Sequence, residues 1–184
     1  EKYLANMQTD ISELESLVSE MLEYARLDSQ QPSIKPVNCD LVGLIKTVVE
    51  KLNFETQINL STDFPDKFYY DCDSHFMSRA LQNLIGNALK YTYSQVKISL
   101  LTEKNHILLI VEDDGEGITP TERENVFKPF TRLDKSRAKD TGGFGLGLAI
   151  VAKIIHWHQG ECKVESSALG GAKFIVCLPL KFKT

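Results

Sequence analysis

Leu4, Met7, Ile11, Leu14, Val18, Met21 and Ala25 fall alternately three and four residues apart, and Leu17, Leu22 and Leu27 widen the stripe they form. That spacing predicts a long helix from Leu4 to about Ala25 with a seam of the coiled-coil or helical-bundle kind. A single helix cannot bury such a stripe against itself, so it needs a partner helix, from the same chain or from another copy. Asp28-Ser29-Gln30-Gln31-Pro32-Ser33 breaks the pattern abruptly, and Pro32 and Pro36 forbid helical continuation. The chain therefore divides into a helix over 1–30, a hinge linker over 31–37 and a larger domain over 38–184.

In that domain Asn38 or Asp40 can cap a helix running to about Leu52, with Leu41, Leu44, Ile45, Val48, Val49 and Leu52 on its apolar side. Alternating runs at 57–62 and 67–71 read as strands. From about Ser74 to Tyr91, Phe76, Ala80, Leu81, Leu84, Ala88 and Leu89 recur at helical spacing. Residues 96–101 and 106–112 predict a hairpin around Thr102-Glu103-Lys104-Asn105. Thr119-Pro120 begins a short helix ending near Phe127, and a polar stretch follows from Arg132 to Thr141. Gly145 opens a further helix through about Trp157, and strands at 161–166 and 172–178 close the chain. Helices and strands mix without regular βαβ alternation, which predicts an α+β fold: a two-layer α/β sandwich with a mixed, mostly antiparallel sheet.

A length of 184 residues suits one well-buried domain plus an accessory helix. The formal charge of −4 and the lack of a basic run give no electrostatic footprint for nucleic acid. No apolar run reaches the roughly 18–20 residues of a membrane-spanning helix, and no signal pattern opens the sequence, so the chain as given is expected to be soluble. Cys39, Cys72, Cys162 and Cys177 lie far apart and form no Cys-x-x-Cys pair. Zinc and a disulfide framework are poor readings of that spacing, and a reducing cytoplasm is the simpler setting.

The chemistry concentrates in three segments. In Asn83-Leu84-Ile85-Gly86-Asn87-Ala88-Leu89-Lys90-Tyr91 the two carboxamides stand one helical turn apart, on a face able to meet a phosphate-bound cation or simply to be solvated. In Asp113-Asp114-Gly115-Glu116-Gly117-Ile118 a carboxylate ends an apolar strand as the chain turns sharply. It could accept a hydrogen bond from an exocyclic amine, or form an ordinary Asp-Gly turn. In Gly142-Gly143-Phe144-Gly145-Leu146-Gly147-Leu148 the glycines precede a helix, where free backbone amides and the positive helix end favour phosphate oxygens. A flexible, closely packed loop is the other reading. No P-loop is present, Leu148 stands where a dinucleotide fingerprint would have its last glycine, and His-Arg-Asp and Asp-Phe-Gly are both missing.

The joint order of these segments resembles the ATP-binding domain of two-component sensor histidine kinases, a branch of the GHKL superfamily with the Bergerat-type fold. Asn83 to Tyr91 is similar to its N box, Val111 to Ile118 to its G1 box, and Val126-Phe127-Lys128-Pro129-Phe130-Thr131-Arg132-Leu133-Asp134 to its F box. Gly143 to Val151 is similar to the G2 box, and Leu169-Gly170-Gly171-Ala172-Lys173-Phe174 to the last glycine box. The likeness covers residues 38 to 180. Residues 1 to 28, ending Glu23-Tyr24-Ala25-Arg26-Leu27-Asp28, resemble the second helix of the dimerisation and phosphoacceptor hairpin in the EnvZ, CpxA and RstB group.

The resemblance implies ATP and Mg²⁺ as ligands. Asp113 would bind the adenine amine, Tyr91 would lie against the ring, Asn87 would bind magnesium, and Asn83 would support the metal–phosphate cluster. Lys90 and Arg132 would meet phosphates and, with Asn83, form the catalytic set. Gly115, Gly117, Ile118, Gly143, Gly145, Leu146, Gly147 and Leu148 would complete the ATP site. Residues 135–142 would form a lid, with Phe127 and Phe130 as packing residues that anchor it. The implied partners are a response regulator with an OmpR-like receiver domain and a second copy bound through the helical hairpin. The implied setting is the cytoplasmic part of a bacterial inner-membrane protein.

Some features depart from the pattern. The phosphoacceptor segment of the His-Glu/Asp-x-Arg-Thr-Pro type is absent, and none of His75, His106, His156 and His158 replaces it. Phe144 stands where a small hydroxyl residue is common, Asp114 is an extra acid, and Ala172 replaces a frequent Ser or Thr. Two alternatives remain: a non-catalytic nucleotide-binding or dimerisation module, and a clamp-type ATPase of the gyrase, Hsp90 or MutL kind. The second would need a glutamate on the Asn-bearing helix, and none lies between Ser74 and Tyr91.

Overall fold

The computed structural model describes residues 2–29, 33–52, 57–133 and 144–181. A helix, α1 (Lys2–Ser29), leads through the linker into strand β1 (Val37–Asp40), helix α2 (Leu41–Leu52) and strands β2 (Asn59–Asp63) and β3 (Tyr69–Cys72). Helix α3 (Ser74–Tyr91) and the hairpin β4 (Gln95–Glu103) and β5 (His106–Asp113) follow, then helix α4 (Gly147–Trp157) and strands β6 (Glu161–Ser166) and β7 (Ala172–Pro179). Five strands form one sheet in the order β2-β4-β5-β7-β6, parallel only between β2 and β4, while β1 and β3 make a separate antiparallel ribbon. The mixed, mostly antiparallel sandwich expected from the pattern is what forms.

Strand periodicity builds the core. On β5, Ile107, Leu109 and Val111 are buried at every second position, and on β7 Ala172, Phe174, Val176 and Leu178 do the same. Side chains alternate across a pleated strand, so these positions share one face of the sheet, against which α3 and α4 pack. Continuing the period places Asp113 on that same inward face. Helix α3 lies between α2 and α4, with Met77, Ala80, Leu81, Leu84, Ile85 and Ala88 buried.

Three expectations are corrected. Strand β1 went unanticipated, because its four residues Val37-Asn38-Cys39-Asp40 carry almost no apolar alternation. Residues 119–124 make turns, and only Asn125–Phe127 is helical, as a 3-10 turn. Val126 alone is buried there, too little apolar surface to hold a full helix against the domain. Helix α4 starts at Gly147 instead of Gly145, whose φ of 75° belongs to the left-handed region.

The end of α1 rests on the domain. Leu27 is buried, the Arg79 guanidinium grips both carboxylate oxygens of Glu23, and Lys153 pairs with Asp28 while its Nζ lies 5.4 Å from the Tyr24 ring centroid. Tyr24 meets Phe130 edge-on at 6.5 Å. A groove of about 600 Å³ runs between α1 and the domain, floored by Leu22, Leu27, Phe76 and Ile154. Upstream, Met7, Ile11, Leu14, Val18, Met21 and Leu22 are exposed along the predicted seam.

Candidate functional site

Asp113 is 2 % exposed, and its position follows from the strand period. Its Oδ1 accepts the backbone N–H of Gly115 at 2.9 Å and of Ala172 at 3.0 Å. Tyr70 Oη is the one sealed side-chain polar atom without a hydrogen-bond partner among the described residues, so Asp113 Oδ2, to which no such bond falls, keeps an opening toward the surface. Burial pushes the carboxyl above its usual range and Asp114 adds to the effect, while the amide bonds from Ala172 and Gly115 pull it back. A buried carboxylate with one oxygen locked and the other presented is suited to accept a proton donor such as an exocyclic amine.

Two glycines make this cage possible. A Cβ on Gly115 would lie 2.1 Å from the Tyr91 carbonyl oxygen, and one on Gly171 would lie 2.2 Å from Asp113 Oδ1. Gly171 also donates its N–H to the Asp113 carbonyl at 3.2 Å. The site-residue reading of the sequence did not include Gly171. Its signal was the Gly170-Gly171 pair directly before a strand, where close backbone approach is a standing reason for glycine. Ala172 enters through its main chain, so the frequent hydroxyl side chain is not needed for that bond.

Asp114 has a different task from its neighbour. Its carboxylate accepts the N–H groups of Tyr93 and Ser94 and the hydroxyls of Thr92 and Ser94, tying down the loop that leaves α3. Burial alone would raise its carboxyl, but these hydrogen bonds from Thr92 and Ser94 outweigh it and hold the group far below the usual carboxylate range. A depressed folded-state value stabilises the fold above the unfolded value near about 3.9, and that stabilisation is lost as pH falls through the folded value. Asp114→Asn is therefore expected to unfold at lower temperature near neutral pH and to show a shallower loss of stability in acid than the parent. Thermal melts between neutral and strongly acid pH check this, and parallel profiles would refute it.

The remaining predicted residues lie on α3, at the start of α4 and on the segments beside them. The last turn of α3 carries Lys90 and Tyr91, with the Lys90 Nζ 5.0 Å from the Tyr91 ring centroid and the ring 39 % exposed. Asn83 and Asn87 are half-buried on α3. Asn83 Nδ2 donates to the Arg79 carbonyl at 3.1 Å, and its Oδ1 faces Gly147, where a Cβ would lie 3.2 Å away. Gly145 presses on the segment before Arg132, since a Cβ there would come within 2.5 Å of the Thr131 carbonyl oxygen. Arg132 itself is exposed. Gly117, with φ of 71°, packs against the Gly171 carbonyl. Ile118 and Leu148 are half-buried, and Leu146 is wholly buried, so only its backbone is available to a ligand. Phe127 packs edge-on against Phe174, whereas Phe130 is 57 % exposed and meets α1. Gly143 and the expected lid over 135–142 lie outside the described residues.

Among the described residues, no three His, Cys, Asp or Glu side chains gather as a metal-binding set. Asn87 fits a magnesium ion only as one oxygen ligand among phosphate oxygens and waters, which is a common mode for that ion.

Residues 72–182 match the family described as histidine kinase-, DNA gyrase B- and HSP90-like ATPase. Sensor protein RstB of Escherichia coli K12 is 43% identical over 177 residues, which are 95% of this chain and 41% of RstB. Sensor histidine kinase CpxA of the same organism is 32% identical over 183 residues, 97% of this chain and 40% of CpxA. The chain thus spans about two-fifths of the length of these curated relatives. Among solved structures, full-length ShkA in complex with AMPPNP superposes with a TM-score of 0.79 at 26% identity, covering 93% of this chain and 36% of that one.

Proposed function

Since the chain belongs to the histidine kinase-, DNA gyrase B- and HSP90-like ATPase family, we propose that it binds ATP and serves as the catalytic part of a two-component sensor histidine kinase. The observation that carries this reading is the caged carboxylate of Asp113, with one oxygen held by two backbone amides and the other presented. Asp113 accepts the adenine amine, Tyr91 offers its ring face to the base, and the amides around Gly145 and Gly147 approach the phosphates at the start of α4. Asn83, Asn87, Lys90 and Arg132 hold the polyphosphate end. A magnesium ion bound with the phosphates would supply charge neutralisation, with Asn87 as its protein ligand.

Lys90 and Arg132 stabilise the oxygens of the γ-phosphoryl group as it moves from ADP to an attacking imidazole nitrogen, so catalysis here is positioning and electrostatics. The acceptor histidine belongs to a segment outside this sequence, on a helix that pairs with α1. The exposed seam from Met7 to Leu22 supports that pairing and a dimer built through it. The phosphoryl group then passes to an aspartate of an OmpR-like receiver domain. The division into a hairpin helix over 1–30, a hinge over 31–37 and a catalytic domain over 38–184 belongs to this reading, as does a cytoplasmic position in a bacterial inner-membrane sensor. Among the described residues no helix is long and apolar enough to cross a membrane. A clamp-type ATPase is disfavoured by the lack of a glutamate on α3.

The test incubates the chain with magnesium and γ-labelled ATP, alone and with the separately purified hairpin bearing the acceptor histidine. Acid-labile label on the hairpin and none on the chain itself is the expected result. Nucleotide binding without transfer to the hairpin would leave a binding module, and no binding at millimolar nucleotide would overturn the reading altogether.

A further inference from the structure

His158 has no place in the nucleotide site, yet it is wholly buried and bonded through both ring nitrogens. Its Nδ1 lies 2.8 Å from the Ile154 carbonyl oxygen, which can only accept, so the proton sits on Nδ1. Nε2 is then a lone-pair acceptor and takes the backbone N–H of Asp73 at 3.1 Å. Burial, which lowers the imidazole's affinity for a second proton, favours this neutral form.

Asp73 is where three parts of the chain meet. Its Oδ1 accepts the N–H groups of His75 and Phe76 and so caps α3, while its Oδ2 accepts the Lys35 N–H from the linker that follows α1. Beside it Phe76 and Trp157 stack edge to face at 5.4 Å. Helices α3 and α4 pack closely against one another, and polar groups mark the two ends of that packing. One is Asp73 with His158 at the end of α4, and the other is Asn83 with Gly147 at its beginning. These contacts stand about 15 Å apart along α3. The hydrogen bond from the Asp73 N–H to His158 Nε2 ties the start of α3 to the end of α4 and adds a directional restraint to their packing.

We propose that His158 is a positioning residue for nucleotide binding: by accepting the Asp73 N–H it sets the register of α3 against α4, and so aims Asn83 and Asn87 at the polyphosphate end of the site. The inference rests on the nucleotide-binding reading above. It requires an acceptor at the Nε2 position, beyond a side chain of the right volume.

The test compares His158→Phe, which fills the space without an acceptor, with His158→Gln, whose Oε1 can reach the same N–H. A core variant away from the site, Val164→Ala, serves as a control for lost stability. ATP-analogue affinity is measured by calorimetry at a temperature where all four proteins are folded. His158→Phe should bind about tenfold more weakly, His158→Gln should return to within about threefold of the parent, and Val164→Ala should bind as the parent does. Parental affinity in His158→Phe, or equal weakening in His158→Gln and His158→Phe, would overturn the proposal, and so would equal weakening in Val164→Ala. If the parent protein binds no nucleotide, the underlying reading fails and the inference fails with it; if it binds and His158→Phe matches it, only the inference fails.

Discussion

Asp113→Asn should weaken ATP-analogue binding by at least about 100-fold while leaving the fold intact, a loss of the size expected when a buried charged acceptor is removed. The substitution preserves shape, and Asn Oδ1 can still accept the N–H groups of Gly115 and Ala172 that now fall on Asp113 Oδ1. The change is confined to the other arm, where an NH₂ group replaces Oδ2 and sets a donor against the amine it should receive. Circular dichroism and melting would be near parental, and calorimetry would show the loss. The parent protein should show a related effect with pH. Because burial raises the Asp113 carboxyl, protonation turns it into a donor at a pH above that of an ordinary aspartate. Affinity should therefore start to fall on acidification before exposed carboxylates titrate. Affinity unchanged by Asp113→Asn would remove Asp113 as the base acceptor.

Gly171→Ala is expected to lose about 3 kcal/mol of stability, the upper end of the cost of overpacking a tight site. For a domain of this size that corresponds to a fall of roughly 10 °C in melting temperature. The added methyl would meet three backbone and carboxylate atoms at once: Asp113 Oδ1 at 2.2 Å, the Gly115 nitrogen at 2.5 Å and the Asp113 carbonyl oxygen at 2.6 Å. None of these is the movable end of a flexible side chain, so the strain falls on the cage itself and nucleotide affinity should drop with stability. Gly170, where a Cβ would meet nothing within 4 Å, provides the contrast even though its φ of 110° strains any side chain. Its alanine variant should lose stability without losing affinity in proportion. A Gly171→Ala protein that melts and binds like the parent would show that the cage is looser than its distances imply.

Much of this was legible in the residues. Helix α3 was read at about Ser74 to Tyr91 because Phe76, Ala80, Leu81, Leu84, Ala88 and Leu89 recur at helical spacing, and the helix spans those residues, with Asp73 as a cap the pattern had not singled out. Strand β5 was equally clear from its apolar run, and it placed Asp113 at a strand end. Less could be read where the deciding partner lies far along the chain. The Glu23–Arg79 pair joins residues 56 positions apart, and no local pattern announces it. Gly171 looks like any turn glycine until Asp113, 58 residues earlier in sequence, is packed beneath it. His158 could be seen to follow a helix, but its partner Asp73 became apparent only once α3 and α4 were side by side. The misplaced helix after Thr119 has the opposite origin. Pro120 is a good helix-starting residue, yet the segment had too little to bury.

The clamp on Asp113 also works as a reporter. Two amide protons, on Gly115 and Ala172, point at the same carboxylate oxygen. Any donor that engages the second oxygen withdraws charge from the first and alters the magnetic environment of both protons together. In a nitrogen–proton correlation spectrum those two resonances would thus form a native indicator of occupancy at the base end of the cleft. It needs no label near the phosphates and cannot be mimicked by a ligand that binds only through them.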